Sequence, residues 1–235
     1  MTHLIATNPF FSAYAQADFF GKLIFFSLYA LSALCWIILI AKFLETQKIK
    51  KVAAHLKQLC AKNQTQILDL EIQEKHPFAE IYRSLKNKTV EVLSKNHFFS
   101  DNKTQTHLSE RDLELVESYV LTTISIESKA LEKNLFILSI TMTLAPFLGL
   151  LGTVWGILIT FAELHSGASA SSSTAILGGL STALATTVLG LVIAIPALIA
   201  HNFLKTVTRN LASDMEDFLY HTLSTIDLQY RKVDT

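Results

Sequence analysis

Residues 134–162 read NLFILSITMTLAPFLGLLGTVWGILITFA, 29 positions without an aspartate, glutamate, lysine or arginine. A helix needs about 20 apolar residues to cross the hydrocarbon core of a bilayer, and this run exceeds that. In lipid every backbone polar group must be satisfied inside the protein, which a helix achieves within one segment. Two further stretches share the property: residues 23–41 hold 19 positions without charge and residues 164–204 hold 41, beginning with a polar patch. The sequence therefore predicts an all-α integral membrane protein with three transmembrane helices, over residues 19–43, 135–163 and 176–203. A soluble chain with three buried helices does not account for runs of this length.

The composition agrees. Half of the 235 residues are apolar and 17% are charged, against about 25% in average soluble proteins, and the chain is far too apolar to be disordered. Twenty basic and twenty acidic residues cancel, so no global charge points to nucleic acid. Cys35 and Cys60 form neither a metal spacing nor a disulfide framework. The first apolar run is longer than the 7–15 residues usual for the apolar core of a signal peptide. It ends at Lys42 without a small-residue cleavage site, and a retained anchor is expected.

The distribution of charge sets the topology. Residues 42–133 hold 15 lysines and arginines, the tail 205–235 holds four, residues 1–41 hold one and the connection 164–175 holds none. Basic residues favour the cytoplasmic side. The expected order is a periplasmic N-terminus (1–18), the first span (19–43), a cytoplasmic helical segment (44–134) and the second span (135–163). A periplasmic turn (164–175), the third span (176–203) and a cytoplasmic tail (204–235) follow. Lys42 and Lys205 mark the inner ends of the first and third spans.

Within the cytoplasmic segment, Ile49, Val52, Ala53, Leu56, Leu59 and Cys60 recur at helical spacing. Pro77 ends or redirects that section. A helix over 78–93 and a loop over 95–106 are expected next. Ser109 and Asp112 make an N-cap pattern, from which Leu113, Val116, Val120, Ile124 and Leu131 run straight into the second span. The tail repeats the theme at Leu204, Val207, Leu211, Met215 and Phe218. These are amphipathic helices extended from the membrane, not a catalytic domain.

The three spans differ in character. The first is bulky, with Tyr29 and Trp36, and suits a lipid-facing position. In the second, Pro146, Gly149, Gly152, Thr153, Gly156 and Thr160 share one face. In the third, Gly179, Ala183, Thr186, Thr187, Gly190, Ala194 and Ala197 do so. Small residues on one face let helices approach closely in a bilayer, and helix packing is the reading for the glycines and alanines. Thr153, Thr160, Thr182, Thr186 and Thr187 leave two readings open. Each hydroxyl bonds back to its own helix, or the group lines a wettable passage. Pro146 and Pro196 each remove a helix hydrogen bond and are expected to bend their spans.

An ionisable group deep in a span is the usual functional marker. None is present: Glu163 and His165 sit at the outer end and His201 near the inner end. If the chain conducts protons, the titrating group comes from a partner. Phosphate-binding glycine loops, H-E-x-x-H and the nucleophile elbow are all absent, and the serine-rich stretch 166–174 has no base spaced near it. Neither an enzyme nor a cofactor is expected. Three spans without an internal repeat or a midplane binding residue disfavour a solute transporter. The basic residues of the cytoplasmic segment alternate with 13 acids, which does not support a nucleic-acid surface.

Leu-Ala-Pro-Phe-Leu-Gly-Leu-Leu-Gly-Thr-Val-Trp-Gly over residues 144–156, followed by Leu-Ala-Thr-Thr-Val-Leu-Gly-Leu-Val-Ile-Ala-Ile-Pro-Ala over 184–197, resembles the ExbB/TolQ/MotA proton-channel family. The three-span layout resembles ExbB and TolQ more than four-span MotA. The short lead before the first span resembles TolQ most, with ExbB a close second.

The resemblance implies a subunit of the bacterial inner membrane that assembles as a homo-oligomeric ring, a pentamer in the family. The ring would surround two helices of an ExbD/TolR-type single-span partner carrying a membrane aspartate. Proton-motive force would then be relayed through a TonB/TolA-type protein to the outer membrane. A Tol-Pal system maintaining the envelope during cell division is the first expectation, a Ton-type uptake system or a non-conducting scaffold the alternatives. Thr153 and Thr187 match the family's pore threonines, and Thr186 and Thr182 join them as expected pore-lining residues. Gly149, Gly152, Gly156, Gly190, Pro146 and Pro196 are expected to set packing and kinks. Many relatives carry a glutamate where this chain has Thr182, which places a direct proton relay through this subunit in doubt.

Overall fold

The computed structural model describes residues 9–62, 67, 68, 72, 76–99, 107–165 and 172–230. They form helices α1 (Pro9–Gln16), α2 (Phe19–Lys62), α3 (Pro77–Phe99), α4 (Glu110–Glu132), α5 (Leu135–His165) and α6 (Ser172–Tyr230). The architecture is all-α, and α2, α5 and α6 contain segments long and apolar enough to cross a membrane. The chain divides into two compact units. One comprises the described residues of Met1–Lys42 with Asn134–Leu204, the other those of Phe43–Lys133 with Lys205–Thr235.

In the first unit, α2 packs Ile24 and Leu28 with Ala145, Ile193 and Ala194, and Cys35 with Leu138 and Ala197. Its opposite side leaves Phe26, Trp36, Ile37 and Ile40 exposed, the pattern of a helix facing lipid. Helix α1 is absent from the sequence-based expectation. It begins on Pro9, a residue suited to a first helical turn, and its Ala13 is buried with Phe25 and with Ala17, the residue just past its end.

The second unit is built on one core shared by four helical segments. Leu56 of α2, Phe78 and Leu85 of α3, Val116 and Val120 of α4, and Met215 and Leu219 of α6 are all buried in it. The recurrence of these residues at three- and four-residue steps gives each helix one apolar face.

Three local expectations are corrected. The helix expected over 78–93 runs from Pro77 to Phe99, so residues 95–99 are helix and not loop, while 100–106 lie outside the described residues. Lys95 pairs with Glu91 one turn earlier at 2.8 Å, and Asn96 Nδ2 donates to the Asp112 carboxylate at 2.8 Å, which holds the added turn in place. The run from α4 into the second span is broken at Lys133 and Asn134. Lys133 N–H closes α4 on the Lys129 and Ala130 carbonyls, and Asn134 takes φ 74°, a left-handed conformation that asparagine tolerates better than most residues. Within the expected turn, α6 already begins at Ser172, and 166–171 lie outside the described residues. The N-cap pattern at Ser109 is a complete capping box: Ser109 Oγ accepts from Asp112 N–H and the Asp112 carboxylate accepts from Ser109 N–H.

In the same unit Glu127 lines a cavity with Glu45, Lys48, His76 and Glu80. Burial, and secondarily the charge of Glu80, push its carboxyl up. An acid raised in the folded state binds its proton more tightly there than in the unfolded chain. Its contribution is therefore fully present below the ordinary carboxylate range and is lost as pH rises through the raised value. Glu127→Gln, permanently neutral, is expected to raise the thermal midpoint of the full chain in detergent at neutral pH. The advantage should shrink on acidification. A variant less stable than its parent at neutral pH contradicts this.

Candidate functional site

The small-residue faces of α5 and α6 meet within the first unit. Gly149, Gly152, Gly156 and Gly190 are all buried, and the lack of side chains permits the approach. A Cβ at Gly149 would stand 2.9 Å from the Thr186 carbonyl oxygen, and one at Gly190 would stand 2.5 Å from the Ala145 carbonyl oxygen. One at Gly156 would lie 2.8 Å from Ala183 Cβ, and one at Gly152 would strike the Thr186 hydroxyl. Pro146 and Pro196 lie inside helices that continue past them, so the carbonyls four residues earlier lose their helix donor.

At this crossing three hydroxyls converge on two carbonyls. Thr187 Oγ1 reaches the Gly149 carbonyl of the other helix at 3.0 Å. Thr153 Oγ1 lies 3.2 Å from the same carbonyl and 3.1 Å from that of Ala183. Thr186 Oγ1 donates to Ala183 at 2.7 Å, with Gly149 at 3.4 Å. The hydroxyls of Thr153 and Thr187 also contact each other, and either can be the donor. Each hydroxyl has one proton and two lone pairs, so the cluster admits more than one donor direction without moving a heavy atom.

The members differ in exposure. Thr186 is fully buried in the α5–α6 contact, whereas Thr153 and Thr187 are half-buried and reach the surface of the chain. Bonding back to its own helix and pairing across helices with Thr187 coexist at Thr153.

Thr182 and Thr160 lie outside this cluster. Thr160 bonds back to the Gly156 carbonyl at 2.8 Å. Thr182 reaches the Gly178 carbonyl at 2.9 Å and the Ala13 carbonyl of α1 at 3.1 Å, which ties α1 to α6.

Asp18 was not singled out by sequence reasoning. Its carboxylate caps α2 by accepting from Gly21 N–H at 2.9 Å and Phe20 N–H at 3.3 Å. It also accepts from Trp155 Nε1 at 3.0 Å, while Phe20 packs on the Trp155 ring with centroids 4.4 Å apart. An aspartate three residues before Gly21, at the start of an apolar run, is a capping signal that was available in the sequence; its bond to Trp155 was not. Asp18, Glu163 and Thr182 line one cavity of about 500 Å³ with Gly156 and Gly179. Among the described residues no group of three His, Cys, Asp or Glu side chains is placed to hold a metal ion.

Comparison with known proteins matches residues 90–217, more than half of the chain, to the MotA/TolQ/ExbB proton channel family. That range contains the whole hydroxyl cluster. The chain is similar to the putative biopolymer transport protein ExbB-like 2 of Helicobacter pylori (strain ATCC 700392 / 26695), at 34% identity over 128 residues, 54% of this chain and 75% of the relative. It is 35% identical to the biopolymer transport protein ExbB of Xanthomonas campestris pv. campestris (strain B100) over 107 residues, 46% of this chain and 42% of that one. With ExbB of Helicobacter pylori (strain J99 / ATCC 700824) it shares 49% identity over 74 residues, 32% of this chain and half of the relative.

Proposed function

The chain belongs to the MotA/TolQ/ExbB proton channel family, and on that premise we propose that it is the ring-forming subunit of a proton-driven motor in the bacterial inner membrane. The observation that carries the reading is the hydroxyl pair Thr153–Thr187, held across two membrane helices at a surface of the chain. The N-terminus is periplasmic and the C-terminus cytoplasmic. Five copies surround two helices of an ExbD/TolR-type partner, whose membrane aspartate carries the proton.

The threonine pair supplies what that aspartate needs in lipid. A charged carboxylate there is costly unless it is hydrogen-bonded, and two hydroxyls with reversible donor direction serve it both as carboxylate and as acid. Thr153 and Thr187 are the residues in contact with the partner. Thr186 and the glycines hold the helices that present them, and Thr182, lacking a carboxyl, takes no part in proton transfer. A TonB/TolA-type protein receives the work and delivers it to the outer membrane. The relatives reported above carry the name ExbB and the words biopolymer transport. That gives a Ton-type uptake system an observation that the Tol-Pal system expected from sequence does not have.

Liposomes containing this chain and its single-span partner test the reading. Proton uptake driven by an imposed gradient, and lost when the partner's aspartate is replaced by asparagine, is the expected result. Gradient-independent permeability, or flux indifferent to that aspartate, leaves the scaffold reading. Complementation of cells lacking either envelope system separates Ton-type uptake from Tol-Pal.

A further inference from the structure

The second compact unit carries its charge unevenly, and the proposed channel makes no use of that distribution. Contacts order its four helical segments around their common core. Lys57 of α2 pairs with Asp214 of α6 at 3.5 Å, Tyr220 of α6 is hydrogen-bonded to Glu117 of α4, and Thr123 of α4 meets Ser84 of α3 at 2.9 Å. Glu45 and Lys48 of α2 share a cavity with Glu80 of α3. Thus α2 and α3 form one edge of the bundle, and α4 and α6 form the opposite edge.

The edges have opposite sign. From Phe43 to Lys62, α2 has five lysines and one glutamate, and α3 has four basic residues against two acids. Helix α4 has six acids against two basic residues, and α6 from Lys205 to Tyr230 has four against two.

The charges also fall in rows. Lys48, Lys51, His55 and Lys62 follow one another at steps of three, four and seven along α2, and all are exposed. That is a heptad-like spacing, which keeps the row on one side of the helix, beside the buried Ile49 and Leu56. On α4, Glu110, Glu114 and Glu117 step by four and three. Glu114 and Glu117 line a surface depression with Ser118, Leu121 and Thr122. Glu216 and Asp217 are exposed on the neighbouring α6, and Tyr220 and Leu228 add exposed apolar surface, 48% and 79% accessible. The Tyr220 phenol is pushed up by its hydrogen bond to Glu117 and by the nearby acidic charges, a local sign of the negative field.

We infer that the second unit binds a second copy of this chain head to tail, the basic α2 row of one copy lying against the acidic α4–α6 edge of the next. The inference rests on the ring reading above and adds a surface and a polarity to it. Edges of one sign repel when placed together, so the contact has one permitted sense. A contact between two different surfaces repeats from copy to copy and closes into a ring when the rotation allows. Single exposed ion pairs contribute little; the row acts as a set, and salt screens it.

The test uses the full chain in neutral detergent, with oligomer mass read by native mass spectrometry at low and high salt. Reversing the basic row (Lys51→Glu with Lys62→Glu) or the acidic edge (Glu114→Lys with Asp217→Lys) is expected to lower the oligomer fraction at low salt at least about fivefold. The chain carrying all four reversals, complementary to itself again, should recover it, and that recovery shows the variants fold. An oligomer that persists unchanged in both reversals overturns the inference and leaves the ring reading standing. A parent chain that is monomeric at every salt concentration overturns both. If only the basic reversal has an effect, and only in nanodiscs containing anionic lipid, the row binds lipid headgroups and the inference fails.

Discussion

With Thr187 replaced by valine, proton flux in liposomes with the single-span partner is expected to fall about ten- to a hundredfold. That is the loss of one hydrogen bond to a charged group, worth about 1.5–3 kcal/mol. Valine keeps nearly the same shape, so ring assembly should survive. Thr153→Val should do the same, and the double variant should be little worse than either. The two hydroxyls touch each other and share the Gly149 carbonyl, and coupled groups do not add. Serine at either position restores the hydroxyl and should restore most of the flux. Thr186→Val is the control: its hydroxyl is buried inside the α5–α6 contact, so its loss should show in stability before flux. Full flux in both Thr153→Val and Thr187→Val removes the hydroxyl pair from the proton path.

The second large effect concerns how closely α5 and α6 pack. Gly190→Ala places a methyl group 2.5 Å from the Ala145 carbonyl oxygen, a backbone atom that cannot turn aside. Separating the helices should cost about 1–3 kcal/mol. Gly178→Ala is the comparison, because its Cβ would meet the Gln16 Oε1 at 2.5 Å, the far end of a flexible side chain. Alanine is favoured over glycine in a helix by about 1 kcal/mol, so with Gln16 swinging away this variant should be neutral or slightly stabilised. Gly190→Leu should abolish the folded α5–α6 pair and, with it, the alignment of Thr187 with Gly149. Unfolding followed in detergent by denaturant titration gives both numbers. Equal losses at Gly178 and Gly190 defeat the explanation.

The spans were legible because charge exclusion over 19 or more residues is a property of the chain itself. The small-residue faces were legible for a related reason: steps of three and four place Gly149, Gly152 and Gly156 together on any helix. Spacing along one helix does not report register against another. It placed Thr186 beside Thr187 without showing that one is sealed in the contact and the other reaches the surface. It likewise grouped Thr182 with the hydroxyl cluster, although Thr182 sits a full turn away against the Ala13 carbonyl of α1. Helix α1 was missed because eight residues, Pro9–Gln16, are too few for periodicity to announce them. The break at Asn134 was missed because the apolar spacing continues on both sides of it, and a left-handed asparagine leaves no mark in a hydropathy pattern. The capping box at Ser109 was readable, since it needs only residues three positions apart.

The two tryptophans of the chain stand in unlike surroundings. Trp36 is 52% exposed on the outer side of α2, where lipid would surround it. Trp155 packs against the tilted ring of Phe20 and gives its indole N–H to Asp18. Indole fluorescence follows the polarity and charge around the ring, so the molecule contains its own optical probe. Once Trp36 is changed to phenylalanine, the remaining emission comes from the junction of α1, α2 and α5 alone. Loosening of that junction under an imposed proton gradient would be visible as a spectral change, with no label attached.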